Sequence, residues 1–196
     1  MEIKIFEKVI YLYKNAFNAD SFIELVENEC SEAWGYLNWS KTTTGKSAVT
    51  EYRSALGCDL NPLSVSPISV ERLIPIADKW KQINDSIQAC LSDYITMFDL
   101  NLSTDEGWRL LKYGASAEYR GHVDHDPSNE RVISAVAFVN DGYTGGELRF
   151  PYYDISIKPE KGSVLLFPSN FPYYHIADPV GVHDNSVKYS IVSWLR

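Results

Sequence analysis

The stretch Glu118-Tyr119-Arg120-Gly121-His122-Val123-Asp124 has no helical apolar period and predicts a β-strand. Residues two apart in a strand project from the same face, so His122 and Asp124 are expected to point together. Two imidazoles and one carboxylate on one side of a metal leave its other side open, an arrangement that suits non-haem Fe(II). The pair therefore predicts two ligands of a metal site, and the second imidazole must come from elsewhere in the chain.

The chain has four histidines, all in its second half: His122, His125, His175 and His183. His125 and Asp126 are adjacent and would face opposite ways on a strand, so they are interpreted as loop residues before Pro127. His183 lies in a turn-forming segment of Asp, Asn and Ser residues, which favours a solvated loop. The pair His122 and Asp124 could itself be an exposed loop in an acidic protein.

A lysine lies within the apolar segment 187–195 near the C-terminus. Strand alternation places Lys188, Ser190, Val192 and Trp194 on one face, and both faces contain large apolar groups. A strand covered on both sides would bury the ammonium, which is costly unless the charge is paired. A bound dicarboxylate would remove that cost. The alternative is an edge strand whose lysine reaches solvent along its stem.

Strand signals dominate after residue 100, with Asp141-Gly142 and Gly145-Gly146 as turns between them. Seven or more strands with short turns favour a sandwich or jelly roll. The predicted strands span residues 108–113, 131–140, 147–150, 155–157, 163–167, 173–176 and 187–195.

The first hundred residues are expected to be mixed and partly helical. Ser21-Phe22-Ile23-Glu24 has the form of a capping box, and a second helix is predicted to follow Pro75. Residues 1–100 would brace one face of a sheet, and residues 39–68 would be a loop that could form a lid. The apolar stripe of the second helix comprises Ile76, Trp80, Ile83, Ile87, Leu91 and Ile95.

Length and composition favour a single domain spanning residues 1–196. With 45% hydrophobic residues the chain can bury a sizeable core, and its net charge of -8 gives no general attraction to nucleic acid or anionic membrane. Three widely spaced cysteines do not suggest a disulfide framework. Neither a targeting segment nor an apolar run of about 20 residues is evident. We therefore expect a cytoplasmic protein that partners neither nucleic acid nor membrane.

From about residue 108 to residue 196 the sequence resembles the Fe(II)- and 2-oxoglutarate-dependent dioxygenases, and within them the prolyl 4-hydroxylase-like branch. Several sequence matches that follow one another in the family's order are stronger evidence of a resemblance than any single match. An additional short loop, residues 181–186, distinguishes this chain and makes His183 a rival to His175. The matching stretches are Leu111-Lys112-Tyr113, residues 119–124, Phe138-Val139-Asn140-Asp141, residues 145–150, residues 158–162, Leu165-Leu166-Phe167-Pro168, His175 with Asp178-Pro179-Val180, and residues 188–194.

The resemblance implies a fold of class α+β, mainly β, in which a double-stranded β-helix (jelly roll) core is braced by N-terminal helices. It implies that the catalytic iron is held by His122, Asp124 and His175. The distal carboxylate of 2-oxoglutarate would be bound by the cofactor-binding residues Lys188, Ser190 and Tyr113. The candidate substrate contacts are Tyr119, Arg149 and Trp194.

The implied reaction decarboxylates 2-oxoglutarate to succinate and CO2 while a substrate is hydroxylated, with Fe(II) and O2, and with ascorbate as a further candidate cofactor. Halogenating relatives replace the carboxylate ligand, so Asp124 favours hydroxylation. The branch implies a prolyl residue in a protein or peptide as substrate. Hydroxylation of a free amino acid, small metabolite or nucleobase is an alternative. A non-catalytic cupin-like sensor that binds metal and ligand is another.

Overall fold

A computed structural model describes residues 2–32, 35–42, 52–64, 70–102, 104–128, 130–158, 160–182 and 186–196. Over these ranges the chain forms two α-helices, α1 (Phe22–Ser31) and α2 (Ile74–Met97), and two antiparallel sheets. Pro75 lies in the first turn of α2, where its missing N–H costs no helical hydrogen bond.

The larger sheet has eight strands and the smaller sheet has four. The order in the larger sheet is β1 (Glu2–Phe6), β2 (Ile10–Lys14), β10 (Ser163–Pro168), β7 (Ile133–Phe138), β12 (Lys188–Leu195), β5 (Arg109–Tyr113), β4 (Leu56–Asp59) and β3 (Ser40–Lys41). The order in the smaller sheet is β6 (Tyr119–His122), β11 (His175–Ala177), β8 (Leu148–Phe150) and β9 (Ile155–Ile157).

Two apolar layers hold the fold together. On one face of the larger sheet, the predicted stripe of α2, including Trp80 and Ile87, packs against Leu166 and Ile191. On the other face, side chains from both sheets form a second core of Ile10, Leu12, Phe138, Leu148, Phe150, Ile157, Leu165, Phe167 and Ala177. The prediction of a mainly β, double-stranded β-helix with helical bracing is confirmed.

The N-terminal half contributes more strand than its sequence suggested. It supplies β1 to β4, and β3 and β4 lie inside the segment 39–68 that was expected to be loop, so that expectation is wrong there. Residues 43–51 and 65–69 lie outside the described residues, and with them part of the suggested lid. The capping box is also wrong, because Ser21 has a positive φ of 66° and makes no side-chain cap hydrogen bond.

Three further predictions concern membrane spans, disulfides and cellular location. Within the described ranges, no helix combines the length and the apolarity that a membrane crossing requires. No disulfide joins Cys30, Cys58 and Cys90, all of which are described. The cytoplasmic location itself stays a prediction.

Candidate metal centre

Strand pairing in the smaller sheet brings the two predicted imidazoles together. His122 and His175 are register partners of β6 and β11, and their ring centroids lie 4.3 Å apart. This pairing explains how residues far apart in sequence share one site.

Asp124 reaches the histidines by a route that the sequence did not predict. β6 ends at His122, so the expectation that both residues sit on one strand is wrong, and Asp124 lies in a bend. Its backbone N–H donates to the Ser169 carbonyl at 3.2 Å, which fastens the bend to the chain following β10. The carboxylate oxygens lie 3.4 Å from His122 Nε2 and 3.6 Å from His175 Nε2.

Backbone carbonyls set the tautomers of both histidines. His122 Nδ1 lies 2.8 Å from the Arg120 carbonyl, and His175 Nδ1 lies 3.0 Å from the Tyr173 carbonyl. Because a carbonyl oxygen only accepts hydrogen bonds, each Nδ1 must bear the proton and donate it. Each Nε2 therefore keeps a lone pair directed toward Asp124, as in the histidines that bind metals in proteins.

The charge states also suit a metal. Burial, and then the neighbouring His122, lower the pKa of His175 to about 4, so its imidazole is neutral at pH 7. Burial alone would raise the pKa of Asp124, but the neighbouring His175 and His122 and the hydrogen bond donated by Ser134 hold it well below its usual range. A neutral imidazole and an ionised carboxylate are the forms that bind a divalent cation.

The donor set fits Fe(II). One ligand atom from each of His122, Asp124 and His175 lies within 4.8 Å of the others, close enough for all three to reach one ion. Two imidazoles and one carboxylate with open positions opposite them match the facial arrangement of non-haem iron sites. His125 is not part of this cluster, and its Nδ1 lies 3.0 Å from the Arg131 carbonyl. The rival ligand His183 lies outside the described residues.

A cavity of about 50 Å³ connects the three candidate ligands to Lys188. The predicted face of β12, Lys188, Ser190, Val192 and Trp194, lines this cavity, and Tyr113 lines it too. β12 pairs with β5 on one side and β7 on the other, so the edge-strand alternative is wrong.

Lys188 is buried, and its ammonium donates a hydrogen bond to an uncharged backbone carbonyl. Its side chain is 2% exposed, and its Nζ donates to the Gly146 carbonyl at 2.8 Å. Burial lowers the pKa of Lys188 to about 8, since low polarity disfavours the ammonium. Gly146 has a φ of 69° and a Cβ there would lie 3.2 Å from Lys188 Cδ, so glycine leaves room for the lysine stem.

A wider cleft of about 560 Å³ opens in front of the metal centre. Two of the predicted substrate contacts, Tyr119 and Trp194, line it. The third, Arg149, is not among the lining residues of the cleft or of the Lys188 cavity. Its guanidinium donates to the Asp178 carboxylate at 2.5 and 2.7 Å, and its role as a substrate contact stays a prediction.

Several charged residues that line the cleft were not predicted as site residues, among them Arg53, Glu106 and Arg131. Arg53 is 7% exposed and its guanidinium lies 4.6 Å from the centroid of the Tyr119 ring. Arg131 lies 3.9 Å from the centroid of the Trp194 ring and is ion-paired with Glu106 at 2.5 Å. These residues meet the cleft through pairing between distant segments, such as the bridge of Arg53 with Tyr119.

The carboxylate of Asp124 is oriented by a pair of buried serines. Ser134 Oγ–H donates to Asp124 Oδ2 at 2.6 Å, and the Ser134 and Ser169 hydroxyl oxygens lie 2.8 Å apart. Outer partners of this kind fix the orientation and basicity of a metal ligand.

Ser134→Ala is therefore expected to weaken Fe(II) binding about 10- to 100-fold, the usual cost of losing such a partner. Anaerobic metal titration measures the loss. Ser193→Ala is the matched control, because this serine is equally buried in the larger sheet but its Oγ has no hydrogen-bond partner. Equal affinity in the two variants would show that Ser134 does not position Asp124.

Comparisons with known proteins agree with this geometry. Residues 108–196 match the family model of the 2OG-Fe(II) oxygenase superfamily. Over 121 residues, 29% are identical to "Probable prolyl 4-hydroxylase 9" of Arabidopsis thaliana, a match that covers 48% of this chain and 42% of that protein. The chain thus spans less than half the length of this relative.

Solved structures share the fold over nearly the whole chain. A prolyl hydroxylase from Trichoplax adhaerens, in complex with a hypoxia inducible factor oxygen degradation domain peptide fragment, aligns with a TM-score of 0.72 and 14% identity, covering 96% of this chain and 84% of that one. The viral collagen prolyl hydroxylase of Paramecium Bursaria Chlorella virus-1, in its 2OG complex, aligns with a TM-score of 0.64 and 17% identity, covering 97% of both chains. At these identities the likeness shows the fold.

Proposed function

We propose that this chain, whose residues 108–196 form a 2OG-Fe(II) oxygenase domain, hydroxylates a prolyl residue in a protein or peptide. The observation that supports this most is that three candidate metal ligands and a buried lysine line one cavity. With Fe(II), O2 and 2-oxoglutarate bound, the site would place one oxygen atom in a substrate C–H bond and the other in succinate, with release of CO2. A role for ascorbate stays a prediction.

The iron would be held by His122, Asp124 and His175. Hydrogen bonds from both Nδ1 atoms to backbone carbonyls keep the Nε2 atoms oriented toward the ion before it binds. Such preorganisation keeps the ligand side fixed and leaves the opposite side for the cosubstrates and the substrate.

The distal carboxylate of 2-oxoglutarate would be bound by Lys188. The Lys188 ammonium is buried and lines the same cavity as the candidate metal ligands. An anion bound there would offset the free-energy cost of removing the ammonium from water. The Ser190 hydroxyl and the Tyr113 hydroxyl, on adjacent paired strands, can donate further hydrogen bonds. In this placement Lys188 would bind one end of 2-oxoglutarate and the metal would bind the other end.

The substrate would enter through the cleft beside Tyr119 and Trp194. Both are aromatic, and their rings already face the guanidinium groups of Arg53 and Arg131. Flat apolar rings beside polar donors suit a proline ring flanked by peptide carbonyls. The names of the similar proteins support the same substrate class.

Mass spectrometry of proline-containing peptides, incubated with the full chain, Fe(II), 2-oxoglutarate and air, tests the proposal. We expect a mass gain of one oxygen atom on proline and stoichiometric succinate. Reactions without 2-oxoglutarate serve as the control, and free amino acids and single-stranded oligonucleotides are assayed in parallel. Oxidation of a nucleobase or free amino acid with every peptide unmodified would contradict the substrate class, and metal and 2-oxoglutarate binding without turnover would indicate a sensor.

A further inference from the structure

The chain between β7 and β8 contacts the buried ammonium of Lys188. Lys188 Nζ donates to the Gly146 carbonyl at 2.8 Å, so this backbone carbonyl is the partner that orients the ammonium. Gly146 has a φ of 69°, and its neighbour Gly145 has a φ of 68°. Because glycine restricts the backbone least, contacts from outside this segment must fix its conformation.

Lys158, which directly follows β9, supplies such contacts. Its Nζ donates to the Tyr143 carbonyl at 3.2 Å, to the Gly145 carbonyl at 2.9 Å and to the Glu147 carboxylate at 3.2 Å. An ammonium has three hydrogens, so each donor of this side chain has an acceptor within residues 143–147, here called the carbonyl loop. The acceptors include the residues directly before and after Gly146.

A second segment, the chain after β11, contacts the carbonyl loop through its backbone. The Gly146 N–H donates to the Pro179 carbonyl at 3.0 Å, and the Gly181 N–H donates to the Thr144 carbonyl at 2.8 Å. Backbone hydrogen bonds therefore join the carbonyl loop to this segment. The Lys158 side chain joins the same loop to the end of β9.

We propose that Lys158 is a positioning residue for 2-oxoglutarate, because it holds the carbonyl loop so that the Gly146 carbonyl orients the Lys188 ammonium toward the cosubstrate. This inference rests on the proposed function, since it deepens the cosubstrate site assigned there to Lys188. Lys158 is not among the residues that line the cavity of Lys188 and the candidate metal ligands. It therefore acts through Gly146 and does not touch the cosubstrate.

Removal of the Lys158 ammonium would act mainly on this loop. The Lys158 side chain is 49% exposed, so water can replace it at the two carbonyls, and little stability of the whole fold is lost. The Gly146 carbonyl would no longer be held in one position, and the Lys188 ammonium would lose its fixed partner. Lost preorganisation of this kind weakens ligand binding. The cost should therefore fall on 2-oxoglutarate affinity and not on the metal ligands, which belong to other segments.

Calorimetric titration of 2-oxoglutarate into the full chain, loaded with Fe(II) under anaerobic conditions, tests the proposal. Lys158→Met keeps the apolar stem and removes the donors, and is expected to weaken 2-oxoglutarate binding about tenfold. Lys158→Arg keeps the charge and several donors, and should retain most of the affinity. Lys161→Met is the matched control, because Lys161 also forms a surface ion pair, but with Asp20 instead of the carbonyl loop.

Amide hydrogen exchange of the chain without metal or cosubstrate supplies a second measurement. Lys158→Met should raise the exchange rates of the carbonyl loop by about threefold or more, because local opening becomes easier. Lys161→Met should leave these rates unchanged. The amides of β12 should exchange as in the wild type in both variants, which distinguishes a local change from loss of the fold.

The kinetic expectation is a split between two constants. Lys158→Met should raise KM for 2-oxoglutarate, and kcat at saturating 2-oxoglutarate should stay near that of the wild type. Equal 2-oxoglutarate affinity in wild type and Lys158→Met would overturn the proposal. An equal loss in Lys161→Met, or a fall of Fe(II) affinity in Lys158→Met, would overturn it too.

Failure of the proposed function gives a different result. If the wild type binds 2-oxoglutarate and oxidises no peptide, the proposed substrate class fails, while calorimetry and hydrogen exchange still decide the role of Lys158. If the wild type binds no 2-oxoglutarate, both the cosubstrate site and the positioning role are overturned.

Discussion

His175→Ala is expected to lower Fe(II) affinity by more than about 100-fold and to abolish oxygenation. This loss exceeds the one expected from removing a residue that only hydrogen-bonds to a metal ligand. The substitution removes one of three candidate ligands and leaves Asp124 facing a single imidazole. His122→Ala should have the same consequence. Anaerobic Fe(II) titration gives the affinity, and succinate release gives the activity.

Two other histidines provide the controls. His125→Ala should leave Fe(II) affinity nearly unchanged, because His125 contacts the Arg131 carbonyl and lies outside the cluster. His183→Ala is also predicted to bind iron normally. Strong iron loss in His183→Ala together with normal binding in His175→Ala would contradict the assigned ligand set.

Lys188→Glu is expected to raise the apparent 2-oxoglutarate requirement by about 100-fold or more. Breaking a buried ion pair costs about 3–5 kcal/mol, and each 1.4 kcal/mol corresponds to about a factor of ten in binding. The glutamate would also place a negative charge against the cosubstrate's distal carboxylate. Titration of 2-oxoglutarate into the iron-loaded protein, with succinate as readout, measures the effect.

Two further variants of Lys188 distinguish the loss of its charge from a failure to fold. Lys188→Met keeps the apolar stem and removes the charge, so it should fold and bind iron while losing cosubstrate affinity. Lys188→Arg keeps the charge but changes its reach, and should retain part of the affinity. If all three variants titrate like the wild type with normal iron content, another cation binds the cosubstrate or the protein uses a different one.

The C-terminal half was the more predictable part of the fold. Alternation in residues 187–195 correctly placed Lys188, Ser190, Val192 and Trp194 on one face, because a strand between two layers imposes a strict period of two. The strand at 155–157 has the predicted bounds. The helical stripe after Pro75 was likewise predicted, since one face of α2 packs on the sheet.

What the sequence could not predict depends on contacts between distant segments. β4 has the sequence Leu56-Gly57-Cys58-Asp59, with no clear alternation, and it is a strand because it pairs with β5. Glu106 and Arg131 have ordinary local surroundings, and only the assembled sheets bring them to the cleft. Asp124 lies beside His122 and His175 by a different route from the predicted one, because the bend after β6 is held by Ser169. Local sequence patterns show which side chains share one face of a helix or strand. The residues that line the cleft are instead determined by which distant segments pair.

The most direct test is a crystal structure of the full chain grown anaerobically with Fe(II) and 2-oxoglutarate, with anomalous data collected at the iron absorption edge. The predicted result is one iron peak bonded to His122, Asp124 and His175, and 2-oxoglutarate whose distal carboxylate contacts Lys188. An iron peak at His183, or a cosubstrate carboxylate bound away from Lys188, would contradict the account.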